Sequence, residues 1–432
     1  MDILKYWNRS SLVVLVVVAL TGCGAAVGSP TAAPSTVRME ATRVAQSPPC
    51  AQVGVKDCFQ VANGTWAAVD SPSGSAGLIL VDMGGPGAFV ENFADVRKEL
   101  PSWTGKYALV SILETWSSWN VTPSCEKYFG NLSWQLPTSV SSCAYLDNYY
   151  QPAAQSTVSD IEKRTGLPLT GIVTFSFGAT RTAGLWGSLN KSSGFLIVAA
   201  PAAVAGPVAQ QLAEQRGSLA EKALSRATAT GCSGPPACAS ISSLVQRIAS
   251  ARQDKVQGVG GPELSLFLLA TATQPSSYTS TVLKLRRGQT LSTDEIATVK
   301  RMAWSFSHTL GSDQALGSNL GFRGQMCQAY GQPDGKNATA DPLARAFLAQ
   351  LGPCPTGRGN WGPPTAAALP DHSCLYLNPA DSVVGPDWSP NQQKNFGPNR
   401  TRSYTVLGHA WPGDQVRALA PVVPGKPWAC GQ

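Results

Sequence analysis

From about Cys50 the chain alternates short, uniformly apolar runs with stretches of helical period. Leu78–Asp82 (Leu-Ile-Leu-Val-Asp), Tyr107–Leu113, Gly171–Phe175 and Gly194–Ala199 read as strands. Val90–Leu100, Thr157–Thr165 (with Ser156 as its N-cap) and a segment from about Ala179 read as helices. Strands that are apolar on both faces, separated by helices, predict a parallel sheet covered on each side. The pattern changes after Pro201: residues 205–370 are mostly helical in period, as in Val208–Ala227 and Asp294–Leu310. Strands return at Cys374–Leu377 and Arg402–Leu407. A helical block set between strands of one sheet predicts a cap over the sheet's carboxyl edge. The expected organisation is a core over 49–204 and 371–432, interrupted by a helical cap over 205–370, with no internal repeats.

The first 48 residues do not follow this pattern. Lys5 and Arg9 precede an apolar stretch from Leu12 to Leu20, followed by Thr21-Gly22-Cys23. Such a segment is expected to be a secretory leader over 1–22, too short for an ordinary membrane span. Leu-Thr-Gly-Cys resembles a bacterial lipobox, which makes Cys23 the expected lipidation site and the membrane an expected partner. Residues 23–48, rich in Ala, Ser, Pro, Thr and Gly, read as a flexible tether. The expected location is extracytoplasmic, anchored to the cell membrane. Cysteine usage agrees: setting aside Cys23 leaves ten of the eleven, an even number in an exported chain. Nearest-neighbour pairing gives Cys50–Cys58, Cys125–Cys143, Cys232–Cys238, Cys327–Cys354 and Cys374–Cys430, although sequence alone does not fix connectivity.

Composition narrows the function classes. With 432 residues and 43% hydrophobic content, the chain has ample core for one large α/β domain carrying an insertion. The net charge of +7 is spread out, Lys284–Arg287 being the densest run. No clustered basic stripe of the kind nucleic acids require is present. No Cys-x₂-Cys pair occurs and only three His exist, which argues against a metal site. No Lys-bearing phosphate loop precedes a helix, so no cofactor is expected.

Candidate chemistry gathers at strand ends. Phe175-Ser176-Phe177-Gly178 follows a strand and precedes a helix, close to the Gly-x-Ser-x-Gly nucleophile elbow, with Thr174 replacing the first Gly. Met83-Gly84-Gly85-Pro86-Gly87 follows the Leu78–Asp82 strand. In an α/β-hydrolase fold this loop supplies one oxyanion donor and the residue after the nucleophile the other. Those donors are expected at Gly84 or Gly85, with Gly85 preferred, and at Phe177. Asp381 lies just past one late strand and His409 just past the next, in the expected chain order Ser, Asp, His. Asp387 and Asp414 are the rivals of Asp381, and His308 and His372 those of His409. Ser176, Asp381 and His409 are thus the expected catalytic triad.

Gly84-Gly85-Pro86-Gly87, Phe175-Ser176-Phe177-Gly178, Asp381-Ser382-Val383-Val384-Gly385-Pro386 and Gly408-His409 together resemble the landmarks of proline iminopeptidase-like serine peptidases. Secreted tripeptidyl aminopeptidases are among the enzymes the chain resembles. The resemblance runs from about residue 60 to the C-terminus, and includes Gln210–Arg226 and a paired Cys327 and Cys354. It implies an α/β-hydrolase fold with an inserted cap, and an exopeptidase that releases short N-terminal pieces through an acyl-enzyme. It also implies acidic cap residues that hold the substrate ammonium, with Glu214, Glu221 and Glu263 as candidates. Two positions depart from the family pattern: Thr174, and Leu113-Glu114-Thr115-Trp116-Ser117-Ser118 where the family carries Asp-x-Arg-Gly-x-Gly-x-Ser. An esterase or amidase with the same triad, or a non-catalytic binding module on this scaffold, are the alternatives.

Overall fold

The computed structural model of the chain describes residues 57–61, 66–85, 93–101, 103, 105–113, 154–202, 209–250, 258–308, 325–331, 341–351, 368–385 and 390–420, together with Val55 and single tail residues out to Cys430. The expected leader, the tether with Cys23, the loop 114–118 and Asp387 lie outside these residues, as do Cys50, Cys125, Cys143 and Cys354.

Eight strands form one sheet: β1 (Asp57–Gln60), β2 (Trp66–Asp70), β3 (Leu78–Asp82), β4 (Ala108–Leu113), β5 (Leu169–Phe175), β6 (Phe195–Ala199), β7 (His372–Leu377) and β8 (Thr401–Ser403). Their spatial order is β1-β2-β4-β3-β5-β6-β7-β8. β2 runs antiparallel to both neighbours, and every pairing from β4 to β8 is parallel. This order, with its crossover at β3/β4 and an antiparallel second strand, is that of the α/β-hydrolase fold.

The period-2 alternation of each central strand sorts its side chains into two apolar layers. Ile79, Val81, Val173, Ile197 and Tyr376 face one side, where α1 (Phe93–Glu99) and the chain's C-terminal residues pack. Leu78, Leu80, Ile172, Leu196 and Leu375 face the other, with α2 (Gln155–Thr165) and Trp186. Burial on both faces is why these strands read as unbroken apolar runs. Cys374 of β7 is bonded to Cys430, tying the tail to a central strand. Cys232–Cys238 is the other complete bridge among the described residues. Cys58 and Cys327 are also disulfide-bonded, and their partners lie outside the described residues.

α3 (Phe177–Thr182) follows β5 directly. Between β6 and β7 the described residues are helical: α4 (Ala209–Thr228), α5 (Ile241–Ser250), α6 (Gly261–Thr273), α7 (Thr279–Arg286), α8 (Thr293–His308), a turn of helix over 325–330, and α9 (Pro342–Leu351). They share an apolar core of their own, which reaches the sheet through Phe177, Ala200, Ala202 and Val384. After β7 come α10 (Pro390–Phe396) and α11 (Gly413–Arg417).

Three local expectations are corrected, and one element adds to them. The hairpin of β1 and β2 carries little sequence signal, because Asp-Cys-Phe-Gln is short and half polar and Ala67-Ala68 is a weak β signal. Ala154, not Ser156, caps α2, and no side chain bonds to that cap. The helix after the elbow starts at Phe177 and not near Ala179. β8 stops at Ser403, and from there the chain keeps one further bond to the sheet, Tyr404 N–H to the Leu377 carbonyl at 2.9 Å.

Candidate active site

Parallel strands deliver their loops to the carboxyl edge, where open α/β sheets place their sites. Register aligns Asp82 with Thr174, and Phe175 with Ala199, at that edge. Ser176 is the next residue, and the chain must reverse there from strand to helix. It does so at φ 54°, ψ −127°, a backbone region sparsely populated by residues with a Cβ. Three bonds hold the strained turn: Ser176 N–H to the Ala199 carbonyl (3.0 Å), and the Ser176 carbonyl accepting Ala179 N–H (3.2 Å) and Ala202 N–H (3.0 Å). Strain of this kind costs about 1–3 kcal/mol and persists only where the surroundings over-determine it.

The glycines around Ser176 are required by close approach. A Cβ on Gly178 would lie 2.2 Å from the Asp82 carbonyl oxygen. Gly84 has φ +86°, and a Cβ there would lie 2.4 Å from the Phe175 carbonyl oxygen and 2.8 Å from Ser176 Cβ. Thr174, in contrast, is fully buried and accommodated: the tight approach falls at Gly178, so the elbow tolerates the lost first glycine.

Asp82 organises this corner. Its carboxylate accepts Arg181 Nε (2.8 Å) and Nη2 (2.6 Å), and also Gly84 N–H (3.0 Å). Arg181 donates onward to the Gly84 carbonyl (3.3 Å) and to Gln325 Oε1 (3.0 Å). Because Asp82 takes the Gly84 N–H, Gly85 is the glycine of this pair whose N–H bonds to no described residue. That distinguishes two positions between which sequence reading left a choice.

Asp381 and His409 meet. His409 Nδ1 lies 2.8 Å and 3.0 Å from the two Asp381 carboxylate oxygens, and both side chains are buried. Asp381 Oδ1 also accepts the N–H groups of Val383 (2.7 Å) and Val384 (2.8 Å), which fixes the carboxylate in the turn after β7. Asn378 joins the two turns: its Nδ2 donates to the carbonyls of Val406 (2.8 Å) and Gly408 (3.0 Å), and its Oδ1 accepts Ala380 N–H (3.1 Å). Tyr404 donates to the Ala410 carbonyl at 2.6 Å. Burial first, and then the Asp381 charge, push its hydroxyl well above the usual phenol range, so it stays a neutral donor. The His409 ring stacks on Phe175 at 4.5 Å, and Trp411 meets Phe175 edge-on at 5.9 Å. The imidazole therefore lies beside the residue preceding Ser176. The rivals fall elsewhere: His372 bonds the Lys426 carbonyl with its Nε2, and Asp414 is paired with Arg417 on the surface.

The three glutamates make their described hydrogen bonds away from this corner. Glu214 is exposed and accepts Gln210 Nε2 at 2.7 Å. It lies two residues, about 200° of helix, from the buried Arg216 that faces the Asp381 turn. Glu221 accepts Ser242 Oγ at 2.9 Å, and burial raises its carboxyl. Glu263 accepts the Gly260 N–H (2.8 Å) at the start of α6, ten residues and about 15 Å from the Thr273 end that meets His409. Sequence reading missed Asp82, Arg181, Asn378 and Arg216. The first three had a faint signal, a polar residue at a strand end or a cation one turn past the elbow; Arg216 had none.

Gly84→Ala tests whether the two loops must touch. It should reduce any Ser176-dependent turnover by about 10²–10³, the size of losing one oxyanion donor. Kinetics on the folded variant check this, and unchanged turnover would show that the glycine loop plays no part.

No protein-family model matches the chain, and no curated protein matches it. Solved structures that match include an α/β-hydrolase fold protein from Nakamurella multipartita (12% identity, 82% of this chain and 90% of that one, TM-score 0.33). A naproxen esterase from Bacillus subtilis also matches (10%, 85% and 90%, TM-score 0.34). So does an epoxide hydrolase from Bacillus megaterium (12%, 84% and 95%, TM-score 0.35). The fold assignment rests on the strand order and the elbow of this chain.

Proposed function

We propose that this protein is a serine hydrolase in which Ser176, His409 and Asp381 act together. One observation carries the reading: a strained serine at a strand-to-helix turn, beside an imidazole held by a buried carboxylate. Ser176 Oγ attacks a substrate carbonyl carbon while His409 Nε2 takes its proton. The new C–O bond places negative charge on the former carbonyl oxygen, which the N–H groups of Gly85 and Phe177 receive. Collapse breaks the bond to the leaving group, which departs with the proton from His409 and leaves an acyl-enzyme. Water then repeats the sequence with His409 as base, releasing the acid and restoring Ser176. Asp381 holds the Nδ1–H tautomer and offsets the imidazolium charge.

For substrate class, the resemblance to iminopeptidase-like enzymes supports an exopeptidase on short peptides. An esterase or amidase is favoured by one observation. Among the described residues, the charged side chain that the inserted helices bond to the Asp381 turn is a cation, Arg216, which repels a substrate ammonium. The same reading puts the protein outside the cytoplasm on a lipid anchor at Cys23, and the disulfides Cys374–Cys430 in the core and Cys232–Cys238 among the inserted helices are consistent with that compartment.

A fluorophosphonate probe should label the wild type and leave Ser176→Ala unlabelled, as read by mass spectrometry of the Ser176 peptide. Labelling of both, or of neither, contradicts the nucleophile assignment.

Peptide amides with free N-termini should be cleaved at least about tenfold faster than their N-acetylated forms if a charged contact is lost on acetylation. Equal turnover, or faster cleavage of simple acyl esters, assigns the esterase reading.

Cys23→Ser should move the protein from the membrane to the soluble fraction or stall its maturation. Retention equal to the wild type in carbonate-washed membranes overturns the anchor.

A further inference from the structure

Arg216 stands in the third turn of α4, and 3% of it is exposed. Nη1 donates to the Ser382 carbonyl at 2.6 Å, Nη2 donates to Thr273 Oγ1 at 3.3 Å, and Nε has no partner among the described residues. Both acceptors are neutral. Burial lowers the guanidinium to about 10, with the Asp381 charge pulling the other way, so the group remains charged at neutral pH. A buried cation without a hydrogen-bonded carboxylate is destabilising for the fold. It gains partial relief from the C-terminal end of α6, where a helix favours positive charge.

One contact falls on the Asp381 turn, and the other falls on the last residue of α6, to which the His409 turn is bonded. Ser382 is the neighbour of Asp381 and precedes Val383 and Val384, whose N–H groups fix the carboxylate. The Thr273 carbonyl accepts His409 N–H at 3.1 Å. It also packs so closely on Gly408 that a Cβ there would lie 2.6 Å away. We infer that Arg216 is a positioning residue, a fork from an inserted helix that fixes the Asp381 turn and the His409 turn relative to each other. The inference rests on the serine hydrolase reading.

The test uses the full chain with Arg216→Met and Arg216→Lys. Arg216→Met should fold, with a melting temperature no lower than the wild type's by more than about 3 °C, since a neutral side chain of similar length replaces a costly charge. Its fluorophosphonate labelling should slow by at least about tenfold, and kcat on a nitrophenyl ester should fall as far with KM nearly unchanged. Arg216→Lys should recover part of the loss, because it returns the charge and one donor without the fork. Wild-type labelling and turnover in folded Arg216→Met overturn the inference. So does a loss that merely follows the folded fraction. If Arg216→Met does not fold, Arg216→Gln replaces it, and failure of both makes the role structural and the inference wrong. A wild type that resists the probe overturns the hydrolase reading itself, a result distinct from any difference between variants.

Discussion

The carboxyl edge of this sheet depends on the ion pair of Asp82 and Arg181. Asp82 ends β3, and Arg181 stands one turn into the helix after the elbow. Their bidentate contact joins two loops that meet nowhere in the sequence. The pair is largely shielded, with 13% and 16% of the two side chains exposed. Removing one partner from such a pair costs about 3–5 kcal/mol, because the other charge is left behind. Around this contact the polar groups are shared out closely. One Asp82 oxygen also holds the Gly84 N–H, and the Asp82 carbonyl admits only a glycine at 178. The reach of Arg181 to Gln325 extends the same network into the inserted helices.

Much of the fold is legible in the sequence because the central strands are buried on both faces. Leu78–Asp82 and Phe195–Ala199 have no polar interruption to obscure them, and glycine-rich or serine-bearing turns mark where they end. The edge hairpin escapes notice because β1 is short and half polar, and because β2, though buried, is built on alanines that carry little β signal. As candidates, Ser176, Asp381 and His409 are legible for a different reason: Ser176 and Asp381 closely follow strands, and His is scarce in this chain. What sequence does not reveal is which face of a helix turns inward. Glu214, Arg216 and Glu221 lie within eight residues on one helix of polar appearance, and only tertiary packing selects the arginine for burial.

Thr174 illustrates how a motif is a proxy for geometry. Glycine precedes the nucleophile by two residues in the consensus so that strand and helix can come close. Here the approach that leaves no room for a Cβ falls at Gly178, against the Asp82 carbonyl, and Thr174 is fully enclosed. The requirement is therefore met by one glycine rather than two.

The bond from His409 N–H to the Thr273 carbonyl at the end of α6 has a consequence for how the inserted helices and the sheet are coupled. A helical layer that merely rested on the sheet could shift without altering the loops beneath it. Here the backbone of the His409 turn is fastened to α6 itself, while its imidazole is held by Asp381. A displacement of α6 would either break that bond or draw the His409 turn away from Asp381, so the two parts of the chain keep a common register.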